Sequence, residues 1–260
     1  MPSGLHQNSR LIYSVDYVKT CTSLTCTSLV DTIRIKLEKI DRANRHGRRI
    51  MNIGIIGSGN MGSGLGKLWA KKGHKIIFSY SRNPEKLKSL SGAVENAAAG
   101  SPADAVLQSD VILFSVRWAN VREALEAAGP LQGKIVIDCT NPLNPDLSGL
   151  AVGHTSSAAE EIAKIADGAK VVKAFNTVFA DVYHSESRLF GSRMPTMFFC
   201  SDDGEAKTTV AKLIREAGFE PVDAGPLRSA RYLEPLAMLM IQLGYGQSMG
   251  TNITMNLIRR

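Results

Sequence analysis

The chain has 260 residues, 44% hydrophobic and 21% charged, the balance of a soluble globular protein with room for one large domain or for a domain and a smaller lobe. Its formal charge of +7 is concentrated in residues 1–50, where nine Lys and Arg stand against four Asp and Glu. The body from residue 51 onward carries only +2 and gives no reason to expect nucleic acid as a partner. No apolar run approaches the roughly 20 residues of a membrane span. The four cysteines, Cys21, Cys26, Cys139 and Cys200, form no C-x-x-C pair, so neither a metal site nor a disulfide framework is expected, and a reducing, cytoplasmic location is.

Residues 1–50 read as an N-terminal extension, flexible or non-native. They have little periodicity, are rich in Ser, Thr and Cys around residues 20–30, and end in the basic run Arg42–Arg49. Asp31–Ile40 fits a short helix or an alternating strand equally well. No secretory apolar region is visible, and Asp31, Glu38 and Asp41 count against an organelle transit peptide.

At Met51 the pattern changes. The apolar run Ile53, Ile55, Ile56 suits a strand buried on both faces, and it runs into Gly57-Ser58-Gly59-Asn60-Met61-Gly62, a G-x-G-x-x-G spacing followed at once by a helical pattern to about Lys72. Strand, glycine loop and helix in that order build a dinucleotide site. Gly57 makes the turn, Gly59 lets a pyrophosphate approach the backbone, Gly62 lets the helix pack on the sheet, and the helix N-terminus faces the phosphates.

Lys75–Ser79 is the second strand. At its end an NAD-preferring protein places an acidic residue for the ribose 2′-hydroxyl; this chain has Tyr80-Ser81-Arg82-Asn83, with Lys86 a turn further on. A guanidinium, a hydroxyl and an ammonium suit a 2′-phosphate, so NADP(H) is the expected cofactor. The alanine-rich stretch Glu95–Gln108 is expected to be helical in part, with Pro102 at a helix start. Val111–Val116 and Lys134–Cys139 are further buried strands. Their ends, Ser115, Val116, Arg117 and Trp118, then Thr140, Asn141 and Pro142, are expected to wall the ribose and nicotinamide. Ser156 or Ser157 caps a helix to Ile165. Ala169–Ala174 is a strand delivering Phe175-Asn176-Thr177, with Asn176 and Thr177 on the substrate side.

These segments, together with Val171–Thr177 and Asp223-Ala224-Gly225-Pro226-Leu227, recur in the order seen in the coenzyme F-420 (F420)-dependent NADP oxidoreductase family, which the chain resembles from about Met51 to Arg260. The nucleotide domain of that family is similar to the cytosolic domain of the six-transmembrane epithelial antigen metalloreductases. The resemblance implies an α/β architecture: a Rossmann doubly wound parallel sheet over residues 51–175 and a small α/β C-terminal lobe over residues 176–260. It also implies a deazaflavin or flavin stacked on the nicotinamide, and it matches Ser81, Arg82 and Lys86 to the 2′-phosphate grip. The chain departs from it at Val116-Arg117-Trp118, where the F420 reductases resemble Ile-Pro-Trp, and at Asn176-Thr177, where they carry His-Thr.

In the lobe, Thr196–Ser201 and Phe219–Asp223 read as strands, Asp202-Asp203 as a helix start rather than a metal pair, and the stretch from Gly225-Pro226 to about Tyr245 as one long helix whose Met-rich stripe packs in the core, with a flavin pocket or a dimer interface as its alternatives. A catalytic-base role for Lys173 is disfavoured by its place in a buried strand. The activity the resemblance implies is hydride exchange between NADP(H) and a small-molecule acceptor (F420, FMN or FAD) by ring stacking, in a homodimer, and a sequence with no Ser-His-Asp set, metal cluster or evident catalytic acid fits it. A non-catalytic NADP(H) sensor and a dehydrogenase of a small carbonyl or imine are the alternatives. Deleting residues 1–50 is expected to leave NADPH affinity unchanged on titration, and a loss above about tenfold would place the extension in the site.

Overall fold

The computed structural model describes residues 49–260; the expectations made for residues 1–48 lie outside them. Six parallel strands form one sheet: β1 (Asn52–Ile56), β2 (Lys75–Ser79), β3 (Ala97–Ala99), β4 (Val111–Phe114), β5 (Ile135–Asp138) and β6 (Lys170–Lys173). Their spatial order is β3-β2-β1-β4-β5-β6, the doubly wound Rossmann arrangement with its switch point between β1 and β4. The helices between them are α1 (Asn60–Ala70), α2 (Pro84–Gly92), α3 (Pro102–Leu107), α4 (Val121–Ala128) and α5 (Ala158–Ile165).

The apolar strand runs explain both faces. Neighbouring residues on one strand point to opposite sides. Ile55, Leu113, Ile137 and Val172 join one core cluster with Leu65 and Trp69 of α1, and Ile56, Ile112, Val136 and Val171 join another with Val121, Ala124 and Ile162. Each Ile or Phe buried to this degree contributes roughly 1.5–3 kcal/mol.

The alanine-rich stretch is helical in part, with Pro102 at the helix start as expected, and a strand before it. Ala97–Ala99 is the edge strand β3, paired with Ile76–Phe78, and the helix begins only at Pro102, behind a capping box made by Ser101 and Asp104. Alanine's helix propensity yields to sheet pairing here, because the residue before a proline is pushed to extended backbone and the preceding three alanines have a strand beside them to bond.

The C-terminal part adds α6 (Ala180–His184), β7 (Thr196–Phe199), α7 (Gly204–Glu216), β8 (Glu220–Asp223) and α8 (Ala230–Ile241). β7 and β8 pair in parallel, and Cys200 just beyond β7 exchanges both backbone hydrogen bonds with Lys173, at 2.9 and 3.0 Å, so the small sheet is stitched antiparallel to the end of β6. Asp203 caps α7 by accepting from the Ala206 N–H at 2.7 Å, as the helix-start reading expects. The expected single long helix is a 3-10 turn at Leu227–Ser229, then α8 with Pro235 inside it, then a π-helical turn at Gln242–Gly246. Trp69 on α1 donates its indole N–H to the Leu213 carbonyl on α7 at 3.0 Å, and residues 50–260 pack as one unit.

Beneath the carboxyl ends of β5 and β6 lies a buried ion cluster. The Lys173 ammonium, fully buried, meets Asp138 Oδ2 at 2.9 Å and Glu234 Oε1 at 2.8 Å, and donates as well to the Thr140 carbonyl. Asp138 Oδ1 accepts from the Thr140 N–H and hydroxyl at 2.8 and 2.7 Å. Glu234, on α8, accepts from the Ala158 and Ala159 N–H groups at the start of α5, at 2.9 and 3.2 Å. Burial pulls the Lys173 ammonium down, but Asp138 and Glu234 outweigh it, and its pKa lies above the usual lysine value. Lys173→Met is expected to leave two carboxylates buried and unpaired and to cost about 3–5 kcal/mol. The check is a urea transition shifted to a lower midpoint at unchanged slope; a shift worth under about 1 kcal/mol would mean that the cluster relaxes or admits water.

Candidate functional site

The glycine loop crosses from β1 to α1 at the switch point. Gly57 has φ +104°, and a Cβ there would lie 2.5 Å from the Ser115 carbonyl oxygen, so only glycine can make this turn. A Cβ on Gly62 would stand 2.1 Å from the Gly57 carbonyl oxygen, which fixes how closely α1 approaches the loop. Gly59 has open space beside it, no side chain caps α1, and its first turn holds no acidic residue. An uncapped helix N-terminus with an open approach fits an anionic group such as a pyrophosphate. The Ser58 hydroxyl is turned inward and donates to the Ser79 carbonyl at 2.9 Å, so only its backbone faces the loop. Ser115 donates its hydroxyl to the Gly57 carbonyl at 2.8 Å and braces the loop from β4.

At the end of β2, Tyr80 adopts φ +53°, an uncommon backbone for an aromatic residue, and turns the chain into Ser81 and Arg82. The Tyr80 hydroxyl is pushed up by partial burial and then by the Glu123 carboxylate. Ser81 bonds locally to the backbone of Asn83, and Asn83 is spent as the α2 cap, accepting from the Lys86 N–H at 3.2 Å. Arg82 and Lys86 are exposed and, among the described residues, pair with neither Glu85 nor any other carboxylate. Two free cations beside an open ribose position leave the charge a 2′-phosphate would neutralise.

Two adjoining cavities open at the carboxyl ends of β4, β5 and β6. One, of about 520 Å³, is lined by Gly59, Asn60, Met61, Ser115, Val116, Arg117, Cys139, Thr140, Asn141 and Leu143. The other, of about 210 Å³, is lined by Met61, Cys139, Asn141, Phe175–Ala180, Ala237, Met240, Ile241 and Tyr245. They share Met61, Cys139 and Asn141. Arg117 is the one charged side chain in the first lining, and the second has none. The Cys139 thiol is pushed well up by burial and then by Asp138, so it stays a neutral thiol and is a poor nucleophile.

The second cavity depends on an unusual backbone. Phe175 has φ +62°, held by its buried ring against Trp69 and Tyr183 and by the Tyr183 hydroxyl donating to its carbonyl at 3.1 Å. That turn delivers Asn176 and Thr177 to the cavity. Asn176 Nδ2 donates to Asn141 Oδ1 and to the Leu233 carbonyl, both at 3.0 Å, while Asn141 Nδ2 donates to the Asn176 carbonyl at 3.1 Å. The two asparagines thereby join the ends of β5 and β6 to α8.

Of the residues singled out in the sequence, Gly59, Asn60, Met61, Ser115, Val116, Arg117, Thr140 and Asn141 come together in the first cavity, and Asn176 and Thr177 line the second. Gly57, Ser58 and Gly62 build the loop from behind. Ser81, Arg82, Asn83 and Lys86 stand at the end of β2. Trp118 opens a 3-10 turn and packs with Val116 and Tyr80 on the second core cluster, and Pro142 is buried; neither lines these cavities. Cys139, which lines both cavities, was not among the expected site residues. Met240 and Ile241, expected to pack in the core with a flavin pocket as an alternative, face a cavity, and the π-turn that brings Tyr245 there has no sequence signature beyond Gly244 and Gly246.

Comparison with known proteins bears out the resemblance. Residues 52–142 match the family described as NADP oxidoreductase, coenzyme F420-dependent. The chain is 29% identical to the F420-dependent NADP reductase of Methanothermobacter marburgensis, over 74% of this chain and 92% of that protein. It is 31% identical to metalloreductase STEAP3 of Rattus norvegicus, over 73% of this chain but only 37% of the rat protein, so it spans little more than a third of that relative. A solved structure of a candidate F420-dependent NADP-reductase from Arthrobacter sp. FB24 superposes with a TM-score of 0.72 at 27% identity, covering 80% of this chain and 100% of the other.

If Arg82 holds a 2′-phosphate, Arg82→Ala would remove a charge-assisted contact of roughly 1.5–3 kcal/mol. It is expected to weaken NADPH about 10- to 100-fold and NADH by less than about threefold. Equal losses on calorimetric titration would remove Arg82 from the phosphate site.

Proposed function

We propose that the chain is an NADP(H)-dependent oxidoreductase that passes a hydride between the nicotinamide and a flavin-like ring, a deazaflavin such as F420 or a flavin. The observation that carries this reading is the uncharged cavity meeting the nucleotide cleft at Met61, Cys139 and Asn141. The open glycine loop and uncapped α1 suit the pyrophosphate, and Arg82 and Lys86 suit the 2′-phosphate. When bound, NADP(H) supplies a hydride at the nicotinamide C4, and ring-to-ring transfer needs no protein nucleophile.

The residues have correspondingly limited tasks. Gly59, Asn60 and Met61 hold the cofactor at the loop, and Val116 and Thr140 wall its nicotinamide half. Phe175, Val178, Phe179 and Met240 exclude water from the adjoining cavity, and Asn141 and Asn176 orient what enters it. In this reading residues 51–175 bind the nucleotide and residues 176–260 complete the acceptor side, in a cytoplasmic homodimer. Among the described residues, no helix is long and apolar enough to cross a membrane. The rival reading as a dehydrogenase of a small carbonyl or imine calls for a proton donor at the nicotinamide. The smaller cavity offers the hydroxyls of Thr177 and Tyr245 and a thiol, but no Lys, His, Asp or Glu.

Anaerobic NADPH oxidation by the purified chain, with F420, FMN, FAD, riboflavin and ferric chelates in turn, tests the proposal. Ring acceptors are expected to turn over and chelates alone to lag by about tenfold or more. Tight NADPH binding with no turnover on any acceptor would move the chain to the sensor class.

A further inference from the structure

The two asparagines at the seam of the cavities allow a complete account of their amide groups. Asn176 is 6% exposed, and its Nδ2 spends both hydrogens, on Asn141 Oδ1 and on the Leu233 carbonyl. Turning either amide over would set oxygen against oxygen, at Leu233 for Asn176 and at the Asn176 carbonyl for Asn141. Both orientations are therefore fixed by the partners. Two valences stay open. Asn176 Oδ1 is buried and has no hydrogen-bond donor, and the second hydrogen on Asn141 Nδ2 meets no acceptor among the described residues. Buried polar groups are almost always paired, so an orphan acceptor on a residue that lines a cavity points to a donor brought by a ligand. The rest of that wall is uncharged, and its polar groups are the hydroxyls of Thr177 and Tyr245 and the Cys139 thiol.

We propose that the Asn141–Asn176 pair recognises an amide edge, a C=O beside an N–H on a planar ring, with Asn176 Oδ1 accepting from the N–H and Asn141 Nδ2 donating to the C=O. The inference deepens the reading above by naming the chemistry that the acceptor site selects, and it falls on Asn176, where the chain departs from the F420 reductases it resembles. Two molecules at this seam carry such an edge: the pyrimidinedione of a flavin or deazaflavin, and the carboxamide of the nicotinamide. A neutral edge needs no counter-charge, in keeping with the lining. A ferric chelate presents carboxylates instead and meets no cation in the smaller cavity.

Two pairs of probes separate the sources, in each of which a methyl group takes the place of the N–H donor. Riboflavin and 3-methylriboflavin are titrated by flavin fluorescence against the full chain saturated with NADP+, and NADPH and its 3-acetylpyridine analogue are titrated against the chain alone. A site that hydrogen-bonds the N–H should favour the unblocked member of one pair by about tenfold or more. Preference for riboflavin assigns the pair to the second substrate, and preference for NADPH assigns it to the nicotinamide. Either preference should fall to near unity in Asn176→Leu, with thermal unfolding confirming that the variant is folded. If that variant does not fold, Asn141→Ala, at a half-buried position, carries the same comparison. Absence of both preferences in the unaltered chain, or a preference that survives the substitution, overturns the inference. Tight NADPH binding alongside such a result would leave the oxidoreductase reading standing, whereas failure to bind NADPH at all would remove both.

Discussion

A lysine ammonium with no access to water has to be neutralised from within, and the way this is done for Lys173 decides where the walls of the site stand. Its partners come from the end of β5 through Asp138, from α8 through Glu234, and from the backbone of Thr140. Two carboxylates against one ammonium leave a surplus negative charge. The start of α5 answers it with two N–H donors to Glu234, where the helix dipole favours an anion. Such a cluster is weak evidence for stability in itself, because burying the ions costs about as much as their attraction returns. Its directionality is what the site uses: each strand end, and the helix facing them, has one position that satisfies every member.

Charge is partitioned along the crevice. At the end of β2 the exposed Arg82 and Lys86 stand free, and at the far end the smaller cavity is bounded by Phe175, Phe179, Met240 and Ile241 without a charge of either sign. Recognition by charge works where water remains and a multivalent anion has to be found. Ring packing works where water is excluded and geometry has to be held. The glycine loop lies between the two regimes, and its turn at Gly57 is braced by the Ser115 hydroxyl so that α1 points its open end at the middle of the cleft.

The nucleotide half was largely legible in the sequence. Strands buried on both faces leave continuous apolar runs such as Ile53–Ile56 and Val111–Phe114, and the glycine spacing needs little context to be read. What escaped depended on neighbours distant in the chain. Ala97–Ala99 is helical by propensity and a strand by pairing. Glu234 looks like an ordinary helix-surface acid until α8 is laid over Lys173. The Asn83 side chain caps α2, and the Ser58 hydroxyl turns to β2, because local backbone donors and acceptors claim short polar side chains first. Met240 and Ile241 have the spacing of core residues and do pack, but against a cavity; periodicity reports which face is turned inward, not what lies there.

The antiparallel bridge between Lys173 and Cys200 carries a consequence for how the chain acquires its structure during synthesis. β6 is the last strand of the parallel sheet, and its terminal residue finds its backbone partner only after β7 has been made, and its Glu234 partner only after α8. The Ala158 N–H waits for a carboxylate 76 residues further on. Until then a nascent nucleotide half would hold an ammonium with only one of its two carboxylates, Asp138, and an unfinished strand edge in what is to become its interior, which makes late, long-range closure a condition of its order. Residues 51–175 and residues 176–260 are thus made in sequence and completed together.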